Sequence, residues 1–210
     1  MVRYLGPKNK IINKFGNLPG LTQKLKREPQ AQQDNDQNEQ KKSKASAYKI
    51  RLNEKQKLRY YYGITESQLI KYMKEARRRN GVTGFILMQL LEMRLDNIIF
   101  RLNLAPTIPA ARQIINHGHV FINKKRVNIP SFQCKPGDTI SFSLKNEIVK
   151  LLTSNFTNKT NILSNSNSLN SHLDFEPTKL ICKVQNLVAE DNLIFAFNDI
   201  LVIEYYSRLI

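Results

Sequence analysis

Between Arg94 and Arg126 the chain concentrates Arg94, Arg101, Arg112, Gln113, Asn116, His117, His119, Asn123, Lys124, Lys125 and Arg126. Guanidinium and ammonium groups bind phosphate oxygens, while amides and imidazoles hydrogen-bond sugar or phosphate oxygens. No nucleophile with a positioned base stands among them, so the chemistry they suit is recognition of a phosphate backbone rather than bond breaking. Further cations lie upstream. Arg3, Lys8 and Lys10 open the chain, and Lys55 and Arg59 lead into Tyr60-Tyr61-Tyr62, aromatics that could stack on bases or simply pack. Lys71 precedes Arg77-Arg78-Arg79, three adjacent guanidiniums that repel one another unless an anion is near.

Short helices must carry these groups. Leu95, Ile98, Ile99 and Leu102 recur at helical spacing, which predicts a buried stripe and leaves Arg94 and Arg101 free toward solvent. A second helix opens at Thr107-Ile108-Pro109, buries Ala111, Ile114 and Ile115, presents Arg112, Gln113 and Asn116, and stops at Gly118. The period then changes to two. His119-Val120-Phe121-Ile122 reads as a strand, Asn123-Lys124-Lys125 as a tight turn, and Arg126-Val127-Asn128-Ile129 as the returning strand. Cys134-Lys135-Pro136-Gly137-Asp138 is turn chemistry before a third strand, Thr139 to Leu144. Farther upstream, Thr65-Glu66-Ser67-Gln68 has the form of a capping box opening a helix with Leu69, Met73 and Ala76 on its inner face. The fold class expected is α+β: a mostly helical N-terminal domain plus a small module of two short helices packed on an antiparallel sheet.

Charge is divided unevenly along the 210 residues, with 26 Lys and Arg against 9 Asp and Glu from Met1 to Pro130, and 7 against 8 from Ser131 onward. Such an imbalance favours a polyanionic partner, because neutralised phosphates release condensed counterions. An acidic membrane surface is the weaker option. No run of about 18 apolar residues occurs, no terminal helix joins a basic to a broad apolar face, and no signal peptide or presequence opens the chain. Cys134 and Cys182 have no Cys-x-x-Cys partner and read as small buried hydrophobes, without disulfide or metal.

Composition also marks boundaries. Residues 1–47 read as a basic arm and polar linker, because Glu28 to Ala47 has no apolar residue larger than alanine. Residues 48–91 read as a helical domain with 180–210 returning to pack on it, and 92–152 as the module of short helices and sheet that carries the cations. Residues 153–173 read as a low-complexity insertion, with 14 Asn, Ser or Thr among the 19 positions from Thr153 to Ser171.

The order of elements, with Arg94-Leu95-Asp96-Asn97, Ala111-Arg112-Gln113, Asn116-His117 and Ile129-Pro130-Ser131, closely resembles the RNA-binding module of the ribosomal protein S4 family, a module also carried by some tyrosyl-tRNA synthetases, pseudouridine synthases and heat-shock proteins. Outside it, Arg3-Tyr4 with Gly6-Pro7, Leu18-Pro19-Gly20-Leu21-Thr22, Lys55-Gln56-Lys57-Leu58-Arg59, Leu90-Leu91-Glu92-Met93-Arg94 and Val202 to Arg208 resemble the full-length family in its chloroplast form. The resemblance implies a structural constituent of the small ribosomal subunit that binds small-subunit ribosomal RNA early in assembly, neighbours other small-subunit proteins and contributes to translational accuracy. It implies no enzyme activity, cofactor, metal, membrane or small-molecule substrate. Gly118 stands where many relatives carry a basic residue, and Asn9, Asn13 and Asn17 make the arm less basic than theirs. The alternatives are a free RNA-binding chaperone or translational regulator, or an RNA-modifying enzyme with the same module. Asn and Ile total 43 residues, a bias suiting an AT-rich genome, which points to a plastid-encoded protein or equally to a bacterial cytoplasmic one.

Overall fold

The computed structural model describes residue 4 and residues 6–23, 46–160, 171–189 and 198–207. The arm's Arg3, most of the stretch read as a linker, and the centre of the Asn/Ser-rich segment lie outside the described residues. Two apolar clusters organise the remainder. The first is helical and joins α1 (Lys8–Phe15), α2 (Ala47–Tyr62), α3 (Glu66–Arg78), α4 (Thr83–Glu92) and the C-terminal α8 (Asp199–Ser207). The second gathers α5 (Leu95–Arg101), α6 (Ile108–Asn116) and α7 (Asn146–Thr160) against a five-stranded antiparallel sheet. Its strands are β1 (Val120–Ile122), β2 (Lys125–Arg126), β3 (Thr139–Phe142), β4 (Leu173–Glu176) and β5 (Ile181–Val184), in the order β2-β1-β3-β5-β4.

Local sequence explains several of these elements directly. Thr65 and Gln68 exchange hydrogen bonds at the start of α3, each using its side chain on the other's backbone N–H. Leu69, Met73 and Ala76 beneath it are fully buried. The inner stripe of α5 is fully enclosed, and the Thr107 hydroxyl accepts from Ala110 N to begin α6. At the other end of α6, Gly118 N bonds Ile115 O and His119 N bonds Ile114 O around a left-handed Gly118 at φ 72°, a Schellman stop.

Other elements depart from the expected boundaries. The helix α1 lies inside the stretch read as an arm, and Ser46 caps α2 by accepting from Lys49 N. The returning strand is shorter and starts one residue earlier, because the two central turn residues, Asn123 and Lys124, take φ of 49° and 66°, a two-residue hairpin turn. Leu173, read as the end of the insertion, and residues 181–184, read as part of the C-terminal return, instead belong to β4 and β5 of the sheet, with 174–176, which neither reading covered, completing β4. Of the residues from 180 onward that are described, α8 is the helix that packs on α2 and α4.

The helix α7 runs on into the Asn/Ser/Thr-rich segment. Ile148, Val149, Leu152 and Phe156 share its inner face, and Phe156 meets the Phe175 ring at 5.6 Å. The polar residues satisfy themselves without leaving the helix: Thr153 Oγ1 donates to Val149 O at 2.8 Å and Thr157 Oγ1 to Thr153 O at 3.1 Å. Asn155 Nδ2 donates to Leu104 O at 3.0 Å, tying this helix to the loop after α5.

Candidate nucleic-acid interface

Arg94, Arg101 and Arg112 do not face solvent. They are 2%, 4% and 6% exposed, which corrects the expectation that they contact phosphates. The carboxylate of Asp96 receives Arg94 through two parallel hydrogen bonds of 3.0 and 2.8 Å, and Arg112 Nε through a third of 2.7 Å. Arg94 Nη1 also donates to Tyr72 Oη at 2.7 Å. The other two Arg112 nitrogens donate to Gly63 O and Tyr62 O at 2.6 and 2.7 Å, so a residue of α6 satisfies carbonyls left unpaired where α2 ends. Glu92 anchors a second group: it accepts from Arg101 Nε and Tyr62 Oη, each at 2.5 Å, and from Asn97 Nδ2. Burial opposes the charge of Arg94 and Arg101, but the adjoining carboxylates outweigh it and shift both groups upward. These ion pairs join the helical cluster to the sheet cluster.

Lys55 is likewise internal. Its ammonium donates to Glu66 at 2.9 Å and lies 4.6 Å from the centre of the Tyr205 ring, so the expected RNA contact is replaced by a packing role for α8. Tyr61 and Tyr62 are buried core residues and offer no face for a base, whereas Tyr60 is half-buried.

What remains outside forms one edge of the sheet module. Gln113, Asn116 and His117 are exposed on α6, and Lys124, Lys125 and Arg126 are exposed on the β1–β2 hairpin. His119 is half-buried, 6.0 Å from His117 between ring centres. Its pKa is lowered by partial desolvation and by the nearby His117, Lys145 and Arg126. Asn123 is exposed but spends both ends of its amide on the fold, donating to Asp138 Oδ1 at 2.8 Å and accepting from Thr139 N at 3.0 Å. It sets the turn that carries Lys124. The same bonds bring the turn at Lys135 beside the hairpin, and Lys145 follows β3 near His119. Sequence reading missed Lys135 and Lys145, because strand pairing rather than spacing brings them to this edge.

Gly118 has a specific part in this edge. A Cβ there would fall inside the Arg126 guanidinium, which lies over the glycine and donates to His117 O at 3.1 Å. Gly118→Ala is therefore expected to displace Arg126 and weaken binding of an RNA ligand several-fold, besides a cost of roughly 1 kcal/mol for a side chain at positive φ. In an Arg126→Ala background the binding loss should vanish while the stability loss stays, as filter binding and melting of the four proteins would show.

Elsewhere, Lys8 and Lys10 are exposed on α1 and Lys71 on α3. Arg77 is half-buried, while Arg78 and Arg79 are exposed and share Glu75 at 2.5 and 3.1 Å, which relieves part of their mutual repulsion. Arg59 is half-buried, 3.8 Å from Glu66 and 5.0 Å from the Tyr60 ring centre. Among the described residues no group of His, Cys, Asp and Glu is placed to hold a metal ion, and no helix is long and apolar enough to cross a membrane.

A helical platform joined by buried ion pairs to a small sheet with a cationic hairpin has the form of an RNA-binding scaffold. Family comparison agrees: residues 3–92 match the ribosomal protein S4/S9 N-terminal domain and residues 93–140 the S4 domain. The small ribosomal subunit protein uS4c of Prototheca wickerhamii is 51% identical over 99% of both chains. The uS4c of Chaetosphaeridium globosum is 47% identical and the uS4 of Nostoc punctiforme 48%, again over 99% of each chain. The chain belongs to the uS4 family of small ribosomal subunit proteins, a structural and not an enzymatic family.

Proposed function

We propose that the chain is a structural constituent of the small ribosomal subunit that binds small-subunit ribosomal RNA directly and sits against neighbouring small-subunit proteins. The observation that carries this reading is the separation of its cations into two sets. Arg94, Arg101 and Arg112 are spent on internal carboxylates, whereas Lys124, Lys125 and Arg126 stand exposed beside Gln113, Asn116 and His117. The exposed set has the donors for phosphate and sugar oxygens and lacks a pocket of base-reading groups, so it recognises the path of a folded backbone. Lys8, Lys10, Lys71 and Arg77 to Arg79 add further phosphate contacts along the helical side. Relatives named uS4c support a chloroplast ribosome as the setting, and cyanobacterial relatives suit a bacterial cytoplasm as the alternative. The family resemblance extends the proposal to early assembly and an effect on decoding accuracy.

The test is equilibrium binding to a transcript of the 5′ domain of small-subunit ribosomal RNA across salt concentrations. With about five of these nine cations engaged at once, the logarithm of affinity should fall against the logarithm of salt with a slope of about −4. Replacing Lys124, Lys125 and Arg126 together by alanine should flatten that slope by roughly 2 to 3. An unchanged slope would move the interface elsewhere on the protein.

A further inference from the structure

A cleft of about 810 Å³ opens where α1, the end of α2, the start of α3 and the start of α6 meet, and the hairpin edge does not include it. Its walls include Lys8, Arg59, Tyr60, Ile64, Ser67 and Pro109. The volume lies within the range of about 300–1,000 Å³ typical of small-ligand sites. The lining joins cations to flat and apolar surface. The Tyr60 ring is held edge-on by Tyr4 at 5.4 Å and tilted against Phe15 at 5.7 Å, and the Arg59 guanidinium lies 5.0 Å from its centre. Glu66 also faces the cleft, where Lys55 at 2.9 Å, Tyr206 at 2.6 Å and Arg59 at 3.8 Å surround its carboxylate, so the cations outnumber it and Lys8 and Arg59 keep the mouth positive.

We propose that this cleft receives one unpaired nucleotide of the bound RNA, its base against Arg59, Tyr60 and Ile64 and its phosphate at Lys8. The inference rests on the RNA-binding reading above and adds a second, different contact to it. Single-stranded bases that leave the stack are commonly held on aromatic and guanidinium surfaces, whereas a duplex presents no free base to such a recess. Position supports the assignment. Pro109, Gln113, Asn116 and His117 fall at i, i+4, i+7 and i+8, so one face of α6 and its cap, half-buried at Pro109 and exposed from Gln113 onward, runs about 12 Å from the cleft to the hairpin edge. A strand lying on Lys124 to Arg126 reaches the cleft without leaving the protein surface. An apolar protein segment suits the site less well, since two cations flank its mouth.

Ser67 is exposed at the rim in the first turn of α3, so Ser67→Trp fills the cleft without entering the core. With the full chain and the 5′-domain transcript, this variant should melt as the wild type does and bind about tenfold more weakly. Abasic substitution along the RNA should reveal a position whose loss weakens the wild type about tenfold and leaves Ser67→Trp unaffected. A photocrosslinker placed at Ser67 in assembled small subunits should label ribosomal RNA. Wild-type affinity for Ser67→Trp, the absence of any abasic position silenced by it, or a crosslink to a protein would each overturn the proposal. The hairpin triple substitution keeps the two readings apart: if it flattens the salt dependence by roughly 2 to 3 while Ser67→Trp does nothing, RNA binding stands and the nucleotide cleft falls.

Discussion

Asp96→Ala is expected to cost at least about 3 to 5 kcal/mol of stability, because it strips the shared carboxylate from two guanidiniums that remain in the interior. Arg94 is 2% exposed and Arg112 6%, so neither reaches water by a change of rotamer alone. A loss of that size is a large fraction of the about 5 to 15 kcal/mol that holds a domain folded. Arg112→Ala should be severe for a related reason. It leaves Asp96 with one partner and uncovers the carbonyls of Tyr62 and Gly63, where α2 meets α6. The folded fraction of Arg112→Ala should still bind RNA as the wild type does. Denaturant melts read beside filter binding decide the matter: a variant that keeps its midpoint and loses affinity would return Arg112 to the RNA face.

These arginines show where the sequence stops being legible. The stripes of α5 and α6, the capping box of α3 and the stop at Gly118 are written in residues three to eleven apart, and periodicity reads such patterns well. The direction of Arg94, Arg101 and Arg112 depends on Tyr72, Glu92, Tyr62 and Gly63, which fold back from as far as 50 residues away. One local signal was present. Glu92 and Asp96 are the only acids between Glu75 and Asp138, and both stand within two residues of Arg94. Isolated acids inside an apolar run mark a buried ion pair, since a lone charge there would be prohibitively costly.

The sheet was half legible for a different reason. The first three strands announce themselves by alternation and turn residues, but β5 is only Ile181 to Val184 and follows a polar segment whose composition suggested a surface insertion. What recruits β4 and β5 is an unfilled edge of β3, with Ile140 registered opposite Cys182, and that demand is invisible until the hairpin is built. The hairpin cations were found because a two-residue turn exposes whatever it carries. Lys135 and Lys145 were missed because only the folded sheet brings them there.

Lowering the pH from 7 to about 4.5 should cost the protein roughly 2 to 3 kcal/mol through His172 alone. The imidazole is 3% exposed, neither ring nitrogen has a hydrogen-bond partner, and Arg101 lies close by. Burial first, and then the charge of Arg101, push its pKa down to about 4 from an ordinary 6.5. Between those two values the unfolded chain binds the proton and the folded chain resists it. The contribution is thus complete above about pH 6.5 and is withdrawn as pH falls toward 4, at about 1.4 kcal/mol for each tenfold difference in proton affinity between the folded and unfolded chain. Glu66 has a lowered pKa despite its burial, because Tyr206 and Lys55 bond its carboxylate, and its contribution is lost only below its ordinary value of 4.5. His119 changes in the same sense as His172 but is partly exposed, so a difference measurement is needed to separate them. His172→Leu supplies it, since leucine fills a similar space and takes no proton. Denaturant midpoints at pH 7, 6, 5 and 4.5 should fall more steeply for the wild type than for His172→Leu, the gap growing to about 2 to 3 kcal/mol. Parallel lines for the two proteins would mean that His172 protonates freely in the fold, and that its site is wet and near the surface rather than a sealed wall beside the Glu92–Arg101 pair.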